Sequence, residues 1–211
     1  MGNIKRQSDY YENLLRTYGD HFLSLDWKAP ESQEMRFKIF KDFVDMFGLH
    51  KFSVLDIGSG FGDLYNYFLK NNFRFSYKGY DVSSKIIEMA KKKYPNADFE
   101  LHDILSNKKS ASADFVFCCG ALNISFDDRE THLTFIHSML IRMFQLCKIG
   151  VAVNFLSSQA IYHLRDEDLT QRQYFYTKVE EILPFVKSLT GKYVIRHDYH
   201  PGDFTVYIIK G

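Results

Sequence analysis

Four acids and a run of glycines hold the chemistry that this chain can do. The stretch Val54-Leu55-Asp56-Ile57-Gly58-Ser59-Gly60-Phe61-Gly62-Asp63-Leu64 places three glycines at alternate positions, after an apolar run and before a helical pattern. Glycines at such a junction let a ligand lie against bare backbone, next to the N–H groups of a helix start. Asp81 ends the next strand-like run, about 20 residues on, where a carboxylate accepts hydrogen bonds from ribose hydroxyls. The same acid can also cap the helix that starts near Ser83, and the two roles are compatible. Asp103 follows a third run, and Gly120-Ala121-Leu122-Asn123 follows a fourth. The chemistry asked for is the binding of a nucleotide-like cofactor. The loop departs from the dinucleotide fingerprint: its third glycine comes one place early at Gly62, and Asp56 precedes its first. Both departures weigh against NAD or FAD.

The elements that must position these residues alternate between strand and helix, which reads as an α/β fold. Residues 52–55 form a short apolar strand. Phe61, Leu64, Tyr65, Phe68 and Leu69 then share one helical face. Further strands are expected over 75–81, 97–101, 113–119, 148–155, 192–198 and 204–210, the last two forming an antiparallel hairpin across Pro201-Gly202. Helices are expected over 5–18, over 31–47 behind Pro30, from Ser83 with Ile86, Ile87 and Ala90 inward, and over 127–147 behind an Asp127/Glu130 box. A last helix should start at Thr177 with Glu180, bend at Pro184 and stop at Gly191.

On these motifs the chain resembles the class I (Rossmann-like) S-adenosylmethionine-dependent methyltransferases. The residues that carry the resemblance are V-L-D-I-G-S-G-F-G (54–62), G-Y-D-V-S (79–83), F-E-L-H-D-I (99–104) and D-F-V-F-C-C-G-A-L-N (114–123). The resemblance implies a single-domain fold with a seven-stranded, mostly parallel sheet, its last strand antiparallel and inserted between the fifth and sixth. Residues 31–211 would form that domain and residues 1–30 an N-terminal helix and cover. It implies S-adenosyl-L-methionine as cofactor, with Gly58, Ser59 and Gly60 against its methionine part. Asp81, with Val82 beside it, would hold the ribose, Asp103 and Ile104 would border the adenine, and Gly120 would lie near the sulfonium. Asp56 would anchor the loop beside the amino group.

Composition narrows the partners. The 211 residues carry a net charge of +1 with scattered Lys and Arg, so no nucleic-acid footprint stands out. Lys91-Lys92-Lys93 reads as a solvated helix end. Cys118, Cys119 and Cys147 have no C-x-x-C spacing, which speaks against a zinc or redox site and for reduced thiols in the cytoplasm. His132 and His137 lack the i, i+4 spacing of a shared metal face, so no metal is expected. The polar N-terminus reads as neither signal peptide nor membrane span, and Arg6 breaks a myristoylation pattern at Gly2. Oligomeric state is not legible.

Methyl transfer is an in-line displacement, and holding the reactants collinear in a dry pocket supplies most of its acceleration. Open α/β sheets bind ligands at the carboxyl ends of their strands. That edge should gather 123–128, 154–165 and 199–203, with Asn123, Asn154 and Tyr162 as acceptor contacts. His163 and His200 are the candidate bases, each with a hydrogen-bonded structural histidine as the plainer reading. The linker 19–28 holds Trp27 among large apolar groups and reads as a cover over cofactor or acceptor, or as a structural clasp. Arg36 either reaches the cofactor carboxylate or stays on the surface. Adenine-N6 enzymes resemble one another in an acidic-Pro-Pro-aromatic turn and cytosine-C5 enzymes in a Pro-Cys nucleophile; Cys118-Cys119-Gly120-Ala121-Leu122-Asn123 offers neither. Val153-Asn154-Phe155 lacks the acid that a metal-dependent catechol-type site needs. The remaining acceptor is a small molecule methylated at oxygen or nitrogen. A non-catalytic cofactor-binding protein, or an RNA or protein acceptor, is the alternative.

Overall fold

A computed structural model of the chain describes residues 2–106, 109–163 and 173–211, with side chains throughout except at 2–3 and 161–163. Seven strands form one sheet: β1 (Phe52–Ile57), β2 (Phe75–Asp81), β3 (Asp98–Leu101), β4 (Ala113–Cys118), β5 (Cys147–Leu156), β6 (Tyr193–Arg196) and β7 (Asp203–Ile209). The spatial order is β3-β2-β1-β4-β5-β7-β6. The pairs among β1 to β5 are parallel, whereas β7 runs antiparallel to both β5 and β6. This is the expected sheet, with the last strand inserted between the fifth and sixth. The order reverses between β1 and β4, which opens a crevice at their carboxyl ends.

Successive side chains of a strand face opposite layers, and β4 shows the division. Val116 and Cys118 join a core with Ile136, Leu140 and Met143 of α5 (Arg129–Leu146) and Ile182 and Val186 of α6 (Val179–Leu189). Phe115 and Phe117 face the other way, toward Phe40 and Phe43 of α2 (Pro30–Asp45) and Phe68 of α3 (Asp63–Lys70). That second layer is built on aromatic rings, with Phe40 stacked on Phe117 at 4.9 Å and Phe43 on Tyr207 at 4.4 Å.

Of three expected helix caps, one holds and two move by one residue. Ser83 caps α4 (Ser84–Lys93), its hydroxyl accepting the Ile86 N–H at 3.3 Å. In α5 the cap is Asp128 rather than Asp127, since Asp128 Oδ1 accepts the Thr131 N–H at 3.0 Å. In α6 the cap is Lys178, whose N–H is accepted by Glu181 Oε2 at 3.0 Å, while Thr177 lies one residue outside with its N–H donated to the Leu156 carbonyl at 2.8 Å.

α1 (Gly2–Tyr18) lies outside the sheet layers and spans the crevice. At one side Gln7 Nε2 donates to the Ile124 carbonyl at 3.0 Å, and Arg6 pairs with Asp127. At the other, Glu12 pairs with Lys85 of α4 at 2.7 Å. Among the described residues no helix is long and apolar enough to cross a membrane.

Candidate active site

The carboxyl ends of β1, β2 and β4 wall a cavity of about 420 Å³, within the roughly 300–1,000 Å³ usual for small-molecule sites. Beyond β1 the chain turns through Gly58 and Gly60, both left-handed, with φ of 72° and 54°. A Cβ on Gly58 would lie 2.4 Å from that of Ala121, and one on Gly60 2.8 Å from Leu25 Cδ1. The backbone is therefore bare by necessity. The N–H groups of Gly58 and Ser59 donate to the Tyr80 carbonyl at 2.8 and 3.0 Å, which ties the loop to β2.

Two carboxylates border this loop. Asp81 accepts the Gly60 N–H on Oδ2 at 3.1 Å and the Ser83 N–H on Oδ1 at 3.0 Å. It thus braces the start of α4 while lining the cavity. Burial raises its carboxyl to about 6, against the pull of those backbone bonds. Asp56 accepts the Tyr77 phenol at 2.7 Å, and burial raises it to about 7. Neither acid has an ion-pair partner among the described residues, so each is a desolvated carboxyl facing a ligand space. Beside them Ser59 Oγ is buried without a hydrogen-bond partner among the described residues. At the end of β3, His102 stacks on Tyr80 at 4.0 Å, and with Asp103 and Ile104 it lines the next part of the cavity. Asp103 Oδ1 accepts the Leu105 N–H at 2.8 Å.

The 19–28 linker forms the roof. Leu25, in the 3-10 turn Phe22–Leu25, covers Gly60, while the Trp27 indole covers Gly120, 3.2 Å from where a Cβ would stand. Tyr10 of α1 donates to Asp26 at 2.9 Å and holds the turn down. Cover and clasp are the same object: the segment lines the cavity and is bolted to the frame. Ile4, Gln7 and Tyr11 of α1 also line it. None of the three was expected at the site from the sequence, although positions 4, 7 and 11 fall on one helix face.

The opposite wall is a buried polar network. Arg36 is neither on the surface nor free for a cofactor carboxylate. It is 6% exposed, and its Nε and Nη2 donate to Asp203 Oδ1 and Oδ2 at 3.3 and 2.5 Å. Its Nη1 is held by Ser32, and its guanidinium lies 4.8 Å from the Trp27 ring centre. Asp203 also accepts Asn154 Nδ2 at 3.4 Å and lies 2.9 Å from His200 Nδ1. Burial would raise the Asp203 carboxyl, but His200 and Arg36 hold it below its ordinary value. Asn154 is fully buried and does not reach the cavity; its amide donates to Tyr199 at 3.1 Å as well as to Asp203. Asn123 lines the cavity, with its carbonyl oxygen engaged by the Leu156 N–H at 3.0 Å.

Of the other residues singled out in the sequence, Asp56, Gly58, Ser59, Gly60, Asp81 and Val82 line the cavity, as do Asp103, Ile104, Gly120, Trp27 and His200. The side chains of Tyr162 and His163 lie outside the described residues. The Arg36–Asp203 pair had no sequence signal, because 167 positions separate its members. Among the described residues no cluster of His, Cys, Asp and Glu could hold a metal ion.

The donor set fits S-adenosylmethionine. Bare glycine backbone, an unpartnered Ser59 hydroxyl and two uncompensated carboxylates suit a ligand that brings hydroxyl donors and positive charge. Comparison with known proteins agrees. Residues 54–142 match a family profile described as methyltransferase domain. A protein of Mycobacterium tuberculosis (strain H37Rv), provisionally named a methyltransferase, is 26% identical over 164 residues, 75% of this chain and 93% of that protein. The fold is similar to magnesium protoporphyrin IX methyltransferase from Synechocystis PCC 6803 with bound SAH (TM-score 0.69, 16% identity, 98% of this chain and 99% of that one). It is equally similar to the plantazolicin methyltransferase BpumL in complex with a triazolic desmethylPZN analog and SAH (TM-score 0.69, 16% identity, 99% and 98%). Motifs, sheet order, cradle and relatives converge: residues 54–142 match a methyltransferase domain, and the chain is similar in fold to the class I S-adenosylmethionine-dependent methyltransferases.

Proposed function

We propose that this enzyme transfers the methyl group of S-adenosylmethionine to an oxygen or nitrogen of a small-molecule acceptor by in-line displacement. The observation that carries the reading is one cavity lined both by the glycine cradle with Asp81 and by His200 with Asp203. The bound cofactor supplies an electrophilic methyl group on a sulfonium. On this reading Asp81 accepts the ribose hydroxyls, Gly58, Ser59 and Gly60 offer backbone to the methionine part, and Asp56 stands by its ammonium. Val82, Asp103 and Ile104 flank the nucleoside, and Gly120 faces the sulfonium.

Leu25 and Trp27 exclude water, which strengthens every electrostatic contact inside. Trp27 and Asn123 form the acceptor wall, and Asn154 acts behind it through Asp203. His200 takes the acceptor's proton, since the residue lines the cavity and its Nδ1 is engaged by Asp203. His163 and Tyr162 are left without a role. Two neighbours named for magnesium protoporphyrin IX and plantazolicin support an acceptor smaller than a nucleic acid. Three free thiols fit a cytoplasmic protein.

Incubation of the protein with methyl-labelled S-adenosylmethionine and fractionated cell extract, read by mass spectrometry, tests this. Label in a small-molecule fraction is the expected result. Label confined to RNA or protein would transfer the reading to a macromolecular acceptor, and cofactor binding without label in any fraction would make the protein non-catalytic.

A further inference from the structure

Asp203 is the most heavily engaged carboxylate at the cavity. It is 1% exposed, holds Arg36 through both oxygens, accepts Asn154 at 3.4 Å and lies 2.9 Å from His200 Nδ1. A carboxylate with a fixed cation behind it keeps its charge while losing its freedom to move.

His200 Nδ1 has a second neighbour. The Gly202 N–H lies 3.1 Å from the same atom. The two contacts demand opposite proton positions. With the proton on Nδ1, the ring donates to Asp203 and Nε2 is a bare lone pair, so His200 can receive a proton. With Nδ1 bare, it accepts from Gly202, the proton sits on Nε2, and His200 can only donate. The second arrangement sets a lone pair against an ionised carboxylate at 2.9 Å. The first gains a charge-assisted bond, roughly twice as strong as a neutral one. Charge decides for the first. Among the described residues Nε2 has no partner.

We infer that Asp203, braced by Arg36, is a positioning residue that fixes His200 in the Nδ1–H form, with Nε2 open to the cavity as a proton acceptor. The acceptor class is then one that must shed a proton, an alcohol, phenol or ammonium, rather than a carboxylate. This rests on His200 being the base proposed above. In the transfer the acceptor heteroatom forms its bond to the methyl carbon, the carbon–sulfur bond breaks with its electron pair left on sulfur, and the acceptor's proton passes to Nε2. The imidazolium so formed is stabilised by Asp203 and returns its proton to water, since the His200 side chain is 39% exposed.

The test needs no acceptor. Two-bond ¹⁵N–¹H correlation spectra of labelled protein with excess S-adenosylhomocysteine, at about pH 8 where an ordinary imidazole is neutral, read the tautomer directly. His200→Gln identifies the signals. The expected result is the Nδ1–H pattern in the native protein and loss of that pattern in Asp203→Asn, with affinity for S-adenosylhomocysteine, measured by calorimetry, unchanged within twofold. An Nε2–H pattern in the native protein overturns the inference, as does an Nδ1–H pattern that survives in Asp203→Asn. If that variant does not fold, the native spectrum decides alone. Failure of S-adenosylhomocysteine to bind the native protein would count against the cofactor's seat and leave the tautomer result standing, so the two failures are distinguishable.

Discussion

The two halves of the cavity follow opposite plans. On the cofactor half, Asp56 and Asp81 are buried with neutral hydrogen-bond donors only, and burial drives both carboxyls upward. On the acceptor half, Asp203 is at least as buried, yet arginine, histidine and asparagine surround it and its carboxyl is held low. The first half is finished by its ligand; the second is finished by the protein. A shape shared by every turnover can be left electrostatically open, because the cofactor that closes it is always the same. Proton acceptance needs a ring fixed in advance, and a fully satisfied network is what fixes one.

The largest expected break of this contrast is Arg36→Ala. It leaves Asp203 buried without its cation and should cost about 3–5 kcal/mol of stability, measured by urea unfolding. Adding Asp203→Asn should recover part of that loss. The counterpart on the other half is Asp81→Ala, which should weaken S-adenosylhomocysteine binding by about 1–3 kcal/mol in calorimetry without a comparable loss of stability. Equal stability losses in the two variants would erase the distinction.

Acidity separates the halves next. Asp56 and Asp81 have raised carboxyls, at about 7 and about 6, so the folded ligand-free protein binds protons that the unfolded chain does not. Their contribution to stability therefore falls as pH rises from about 4 toward 7, by up to about 1.4 kcal/mol per unit for each. The depressed Asp203 contributes with the opposite slope, and its share is lost only as pH falls below the ordinary carboxylate range. Thermal melts across pH, with Asp81→Asn as control, read both slopes. If Asp81 accepts the ribose hydroxyls as proposed, its ionised form does so, and affinity for S-adenosylhomocysteine should fall below about pH 6, by up to about tenfold per unit. The smallest effect belongs outside the cavity: Lys93→Ala removes a half-exposed pair with Asp63 and should change stability by about 0.5 kcal/mol or less.

The edge proposed for the cofactor was legible in the sequence and the edge proposed for the acceptor largely was not, for a physical reason. Gly58, Gly60 and Asp81 lie at the ends of strands whose order follows from short-range pattern, so spacing alone brings them to one edge. The roof was half legible, since Trp27 and its apolar neighbours marked a covered linker without saying what they cover. Arg36 illustrates the limit. Its partner arrives on β7, 167 positions later, through a strand inserted out of chain order. Asn154 sits at the expected strand end, yet the Asp203 and Tyr199 side chains claim its amide before any ligand could. Two helix caps slipped by one residue: Asp127 is engaged by Arg6, and the Thr177 backbone bonds Leu156 of β5.

Trp27 is the only tryptophan in the chain. Its indole rests on Gly120 at the donor end, and the Arg36 guanidinium packs on it at the acceptor end. On the proposed assignment, one rigid ring is common to two binding events. Any ligand that displaces it from one side changes the surface met by the other. Thermodynamic linkage then makes the effect mutual: whatever factor the cofactor imposes on acceptor affinity, the acceptor imposes on the cofactor. The same ring is the chain's only indole fluorophore, so its emission would report that conversation from the inside, without a label.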